Sequence, residues 1–134
     1  MKKILFLVVL LSLILTACKT EKIDQGNRKS DLEFTVIDED DAPQEIINMI
    51  ENQKQEPFRF SYANGNDLYI VVGYGEQPTG GYSIQVKDLY VTENAIVIDT
   101  DLIGPSKEDL VTMALTYPRV IVKTEYIDKP VYYN

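Results

Sequence analysis

Two β-rich segments joined by Asn64-Gly65 leave this chain few choices of fold. Residues 58–62 alternate apolar and polar side chains, and residues 67–72 are rich in β-forming side chains. Asn-Gly is a strong signal for a two-residue hairpin turn, because both central residues of a type I′ turn have positive φ. The pattern predicts an antiparallel hairpin in which Phe60 lies opposite Tyr69.

Other segments add strands to this hairpin. A weakly alternating run at 32–37 predicts a first strand, and residues 118–125 predict a last one. Residues 82–91 and 95–101 predict a second hairpin. Within it, the apolar positions change parity around Lys87-Asp88, which indicates a β-bulge there.

One helix is predicted ahead of the first hairpin. Asp41-Ala42-Pro43-Gln44 has the form of a capping box with Asp41 as the cap, and Ile46, Ile47 and Ile50 then share one face up to about Lys54. Residues 107–116 fit either a strand or a short helix. The chain is therefore predicted to be mainly β, an antiparallel β-sandwich or roll with one N-terminal helix, with an α+β arrangement as the alternative.

The 134 residues include no histidine and no tryptophan. The absence of histidine excludes Ser-His-Asp and Cys-His nucleophilic mechanisms and imidazole metal ligands. Carboxylates cluster at 99–101 and 108–109, but such clusters are typical of a solvated turn and its flanks. The acidic run at 38–41 lacks the ligand spacing of a calcium loop. We therefore expect a protein that is not an enzyme and has no cofactor and no metal site.

The first 17 residues have the composition of a secretory signal peptide. Lys2 and Lys3 give a positive start, residues 4–17 are apolar, and Leu15-Thr16-Ala17-Cys18 resembles a bacterial lipobox. A helix over the apolar run would span about 21 Å, less than the roughly 30 Å hydrocarbon core of a membrane. We expect cleavage before Cys18 and its modification with acyl chains such as palmitate. A plain secretory peptide is the alternative.

The expected product is a lipoprotein on the extracytoplasmic face of the cell membrane, at the cell surface. Residues 18–30 are polar without an apolar period, which is typical of a flexible tether, and residues 31–134 suffice for a single β-rich domain. Without residues 1–17, 11 basic and 21 acidic residues give a net charge of −10. Nucleic acid is therefore not expected as a partner, because its binding requires a basic surface.

The most distinctive motif, Gly75-Glu76-Gln77-Pro78-Thr79-Gly80-Gly81-Tyr82, lies between two predicted strands. It is not a phosphate-binding loop, because it lacks the Gly-Lys-Ser/Thr ending of a P-loop and leads into a strand rather than a helix. Pro78 fixes φ, and Gly80 and Gly81 permit positive φ or close backbone approach. Both a structural turn and a binding loop fit this pattern.

This block resembles the signature of the PrcB C-terminal domain family, Gly-x-x-Pro-Thr-Gly-Gly-Tyr leading into a strand. The run Ala-Leu-Thr-Tyr-Pro-Arg-Val-Ile-Val at 114–122 is similar to the second block of that family, and the resemblance covers about residues 67–124. It implies a non-catalytic, secreted or lipid-anchored protein. The expected role is an accessory or stabilising subunit of a surface protease complex, with a secreted or surface protease as its protein partner.

The two blocks together define the expected protein-binding residues. They are Gly75, Pro78, Thr79, Gly80, Gly81, Tyr82, Tyr117 and Pro118. Binding would use backbone groups of the loop or an exposed strand edge. The run Gln77–Tyr82 is also similar to the Asn-Pro-Thr-Thr-Gly-Tyr loop of chagasin-type cysteine peptidase inhibitors, although glutamine replaces asparagine and the expected tryptophan is absent. Peptidase inhibition is therefore the alternative function.

Overall fold

Eight strands and one α-helix make up residues 28–134, the part of the chain that this computed structural model describes. The strands are β1 (Arg28–Asp31), β2 (Phe34–Ile37), β3 (Pro57–Asn64), β4 (Asp67–Tyr74), β5 (Ser83–Thr92), β6 (Ile96–Ile103), β7 (Arg119–Glu125) and β8 (Val131–Tyr133). A short 3₁₀ helix (Glu39–Asp41) precedes helix α1 (Gln44–Gln53).

The strands form two four-stranded sheets, which we call sheet A and sheet B. Sheet A has the order β1-β5-β6-β8, and sheet B has the order β2-β7-β4-β3. All neighbouring strands are antiparallel except β6 and β8, which run parallel. The prediction of a mainly β, antiparallel sandwich with one helix is confirmed.

Apolar side chains on the facing surfaces of the two sheets form the main core. Its buried members are Leu32, Leu68, Ile70, Val72, Leu89, Val91, Ile96, Ile98, Val120 and Val122. They come from strands of both sheets, so the sheets stabilise each other by excluding water from between them.

Helix α1 covers the opposite face of sheet B. Its buried residues Ile46 and Ile50 pack on Tyr69, Val71 and Ile121. Strands β4 and β7 are thus buried on both faces, which explains why residues 68–72 are continuously apolar instead of alternating. The layers are helix, sheet B and sheet A.

The first hairpin forms, but its turn lies one residue later than predicted. Asn64 pairs with Asp67, so the central residues are Gly65 and Asn66, and Phe60 lies opposite Val71 rather than Tyr69. Among the described residues, only glycines have positive φ, including Gly65 at 63°. This fits a type II′ turn, which needs positive φ only at its first central residue and places the glycine there.

The predicted Asp41 cap was wrong. Asp41 lies in the 3₁₀ helix, Pro43 precedes the first residue of α1, and no side chain caps that end. The acidic run is held in place differently, because Glu39 accepts a hydrogen bond from the Nε of Arg119 at the start of β7. The chain therefore turns once before the helix begins, instead of entering it directly.

Further differences concern the strands and the connecting segments. Residues 107–116 form neither a strand nor a helix, and residues 104–118 are a connecting loop. Strand β1 includes residues 28–30, which the sequence assigned to the tether. The predicted signal peptide and Cys18 fall within residues 1–27, which lie outside the described residues. The predicted bulge is confirmed, because the pairing of β5 with β6 shifts at Lys87.

No helix within residues 28–134 is long and apolar enough to cross a membrane.

Candidate functional site

Two loops at one end of the sandwich carry all eight predicted binding residues. Residues 75–82 connect β4 to β5, and residues 104–118 connect β6 to β7. The strand ends coincide, since Gly73 pairs with Arg119 and Ser83 pairs with Ile103. We call these two loops the crown.

Backbone hydrogen bonds join the two crown loops. Gln77 and Thr116 exchange a pair of bonds, with N···O distances of 2.8 and 3.0 Å. The Gly80 N–H donates to the Thr112 carbonyl at 2.9 Å, and the Thr116 hydroxyl donates to the Thr79 carbonyl at 2.6 Å. The first loop is therefore part of a two-loop block and not a separately projecting finger.

Glycines of the first crown loop allow close packing at two positions, Gly81 against the second crown loop and Gly75 against the start of β3. Gly81 has a φ of 88°, and a Cβ placed on it would lie 2.8 Å from Cγ1 of Val111. Gly75 has a φ of 78°, and its Cβ would lie 3.0 Å from the backbone nitrogen of Pro57. An L side chain would be strained at both positions by backbone conformation and by contact. Packing therefore explains these glycines directly.

The aromatic and proline residues of the crown have packing roles as well. Tyr82 lies against Gly104, whose absent Cβ would be 3.3 Å from Cε1 of the tyrosine ring. The Pro118 carbonyl accepts a hydrogen bond from the Tyr74 N–H at 3.0 Å. Pro78 is exposed. The structure thus brings the two predicted blocks together through the hydrogen bonds between Gln77 and Thr116 and between Thr79 and Thr116.

Lys54 links the end of α1 to the crown. Its Nζ donates to Oε2 of Glu51 at 3.0 Å and lies 5.0 Å from the centre of the Tyr117 ring. The hydrogen bond from Lys54, together with the positive charges of Lys54 and Arg119, lowers the pKa of Glu51. The Tyr117 hydroxyl donates to Oε1 of Glu76 at 3.3 Å. These contacts orient Tyr117 between the helix and the first crown loop.

The sequence did not identify the most exposed apolar side chains of this end. Leu110 is fully exposed, and the exposed fractions of Met113, Leu115 and Ile103 are 83%, 57% and 46%. The first three lie in the second crown loop, and Ile103 immediately precedes it. Clustered exposed apolar residues of this size are typical of interaction surfaces. The sequence signal was a run rich in large apolar residues at 110–115, within the segment that fits either a strand or a short helix.

Three of the four carboxylates considered for acid–base chemistry have other partners. Asp99 and Asp101 lie 3.9 and 3.7 Å from the Nζ of Lys87, and Asp109 accepts a hydrogen bond from the Ser106 N–H at 2.8 Å. Within residues 28–134, no group of three potential ligand side chains is arranged to hold a metal ion.

A comparison with protein-family models matches the family described as PrcB C-terminal at residues 68–125. The match runs from β4 through both crown loops to the end of β7. Searches of curated proteins and of solved structures found no match. The matched segment holds both blocks on which the resemblance rested, in the order and separation expected. Residues 68–125 therefore match the PrcB C-terminal family model, and this match supports the resemblance that the two blocks carry.

Proposed function

We propose that this protein is a non-catalytic, lipid-anchored module that binds a partner protein on its crown. The observation that carries the proposal is the exposure of Leu110, Met113 and Leu115 on a loop that is held in place by hydrogen bonds. Burying one such side chain against a partner stabilises a complex by about 1.5–3 kcal/mol. Because the loop is already ordered, little conformational entropy is lost on docking.

The family context supports a protease as the partner. The PrcB C-terminal domain suggests a family associated with protease complexes. The proposed role is therefore that of an accessory subunit that docks a secreted or surface protease. The crown would supply the contact, and the protease would supply the catalytic residues.

The position of Arg28 supports membrane anchoring through Cys18, because Arg28 lies at the end of the sandwich opposite to the crown. Arg28 pairs with Thr92, whereas the crown adjoins Ser83 at the other end of β5. Ten residues of strand span about 33 Å, so the crown lies that far from the point where the chain enters the domain. An anchor before Arg28 would leave the crown facing away from the lipid surface, accessible to a protein.

Cell fractionation tests the anchor separately from binding. The Cys18→Ser variant should move from the membrane fraction to the soluble extracytoplasmic fraction, because the site of acylation is lost. Retention of the variant in the membrane fraction would contradict lipid anchoring through Cys18.

Affinity capture from the native cell tests crown binding. The tagged full chain should recover a protease or its precursor, and the double variant Leu110→Ser/Met113→Ser should recover at least about tenfold less, as expected for the loss of two buried apolar anchors. Val36→Ser is the matched control, since Val36 is 54% exposed but lies on β2, outside the crown. Equal recovery by the double variant and the wild type would refute docking on the crown.

A further inference from the structure

Strand β6 has a partner along only part of one edge. Strand β8 pairs with it from Ile96 to Ile98, and the Asn134 N–H then donates to the Ile98 carbonyl at 2.9 Å. Beyond that bond, no strand within residues 28–134 pairs with residues 99–103 of β6 on this side. The open edge is about 17 Å long and leads directly into the crown at Gly104.

The backbone of this open edge presents hydrogen-bonding groups outward. The Ile96 N–H and the Ile98 carbonyl both point toward β8. Because successive residues of a strand point their polar groups to alternate sides, those of Thr100 and Leu102 point in the same direction. Two N–H groups and two carbonyls are thus available to an added strand.

A cavity of about 370 Å³ lies beneath the open edge, between the facing surfaces of the two sheets. Val72, Tyr74, Ile98 and Thr100 contribute to its lining, and the hydroxyls of Tyr74 and Thr100 share a hydrogen bond of 2.6 Å. Its volume is that of a small ligand pocket. A side chain from a strand placed beside β6 would enter this space.

The outer face of the open edge is acidic. Asp99 and Asp101 lie on this face, and among residues 28–134 they form ion pairs only with Lys87. The side chain of Asp101 is 62% exposed. A strand beside β6 would place its outward side chains next to these carboxylates. A basic side chain would be favoured there.

Two of the other open edges carry features that discourage strand pairing. The unpaired part of β5 contains the bulge at Lys87 and the ion pair between Arg28 and Asp88, and β3 begins with Pro57. Bulges, charges and prolines are the usual protection of sheet edges. The open edge of β6, residues 99–103, has no proline, no lysine and no bulge.

We propose that the open edge of β6 binds an extended segment of a partner protein as an added strand. The segment alternates apolar residues, which face the cavity, with basic residues, which face Asp99 and Asp101. A second copy of this chain is a poor occupant, because pairing two such edges would bring aspartates of both copies together. The inference rests on the proposed protein-binding function and specifies the form of the partner.

Amide hydrogen exchange measured by NMR on the full chain in mild detergent micelles tests this site. The probe is a capped hexapeptide of alternating lysine and valine, and the control peptide replaces lysine with glutamate. The lysine peptide should slow exchange of the Thr100 and Leu102 amides at least about tenfold, and the glutamate peptide should leave them unchanged. Unchanged exchange at millimolar lysine peptide, or equal protection by both peptides, would overturn the proposal.

Two proline variants locate the contact. Leu102→Pro removes an N–H that faces away from β5, so it should abolish protection while preserving the ladder between β5 and β6. Ala63→Pro is the control, because the pairing of Asn64 with Asp67 turns the Ala63 N–H to the open edge of β3. Protection that survives Leu102→Pro, or that appears on β3 instead, would contradict the site.

The experiments can refute binding at the crown and binding at the open edge of β6 independently of each other. Leu110→Ser/Met113→Ser should leave peptide protection at Thr100 and Leu102 unchanged, because neither side chain lies on that edge. Loss of protein capture by that variant with intact peptide protection would support both surfaces. Normal capture through the crown without any peptide protection would refute only the strand-addition site.

Discussion

Gly81 determines how closely the two crown loops can approach. Its backbone has positive φ, and the second loop occupies the space where a Cβ would stand. Gly65 in the first hairpin also has positive φ, but no atom lies within 4 Å of the corresponding Cβ position. A side chain at Gly65 would be unfavourable only because of backbone conformation, whereas one at Gly81 would also collide with the second crown loop.

Alanine at these two positions should have different effects. Gly65→Ala should lower the free energy of unfolding by about 1 kcal/mol, because only the left-handed backbone is unfavourable there. Gly81→Ala should lower it by about 2–3 kcal/mol, because Val111 and Pro105 must also move. Chemical denaturation of both variants measures the difference. Equal decreases in the free energy of unfolding would show that the second crown loop moves away from the new Cβ of Gly81→Ala without loss of stability.

The β-bulge in strand β5 keeps the apolar side chains on both sides of it pointing toward the core. Ile84 and Val86 precede the bulge and Leu89 and Val91 follow it, yet all four pack toward the core between the sheets. Lys87 is the extra residue, since Val86 pairs with Thr100 and Asp88 pairs with Asp99. Without the bulge, one pair of apolar side chains would point to the outer face.

Single-residue deletions test this role of Lys87. Deleting Lys87 should give a regular ladder with every apolar residue still inward, so the free energy of unfolding should change by no more than about 1 kcal/mol. Deleting Gln85 should turn Lys87 inward and Val86 outward, at a cost of about 3 kcal/mol or more. Thermal unfolding of both variants gives the comparison. A greater loss for the Lys87 deletion would contradict the pairing described.

Local patterns in the sequence predicted several elements of the fold. The parity change at Lys87-Asp88 predicted the bulge, and Ile46 and Ile50 predicted the buried face of α1. The turn at Gly65 was misplaced because Asn64-Gly65 also fits a type I′ turn, and only the pairing of Asn64 with Asp67 distinguishes the two. Strand β1 was missed because all four of its residues are exposed and its order comes from backbone pairing with β5.

The candidate site was also predictable only in part, because contacts between residues far apart in the sequence determine it. The Pro-Thr-Gly-Gly-Tyr and Tyr-Pro blocks identified the two loops through a family resemblance, but their mutual hydrogen bonds join residues far apart in the sequence, such as Thr79 and Thr116. The exposure of Leu110 and Met113 depends on the path of the whole loop. Neither property follows from local periodicity.

The molecule as a whole has two distinct ends. The described chain enters at one end of β5, and the crown with the adjoining open edge of β6 lies at the other. The described residues carry nine basic and 19 acidic side chains, so the exposed apolar residues of the crown lie on a predominantly acidic domain. This arrangement agrees with the proposed module, which would be held to a surface at one end and would bind its partner at the other.

Site-specific photocrosslinking in the native cell tests that arrangement most directly. A photoreactive amino acid at position 113 should give a covalent adduct with one protein species, a protease or its precursor, because Met113 is exposed on the crown. The same amino acid at position 36, on β2, should give no such adduct. Absence of an adduct from position 113, or the same adducts from both positions, would contradict binding through the crown.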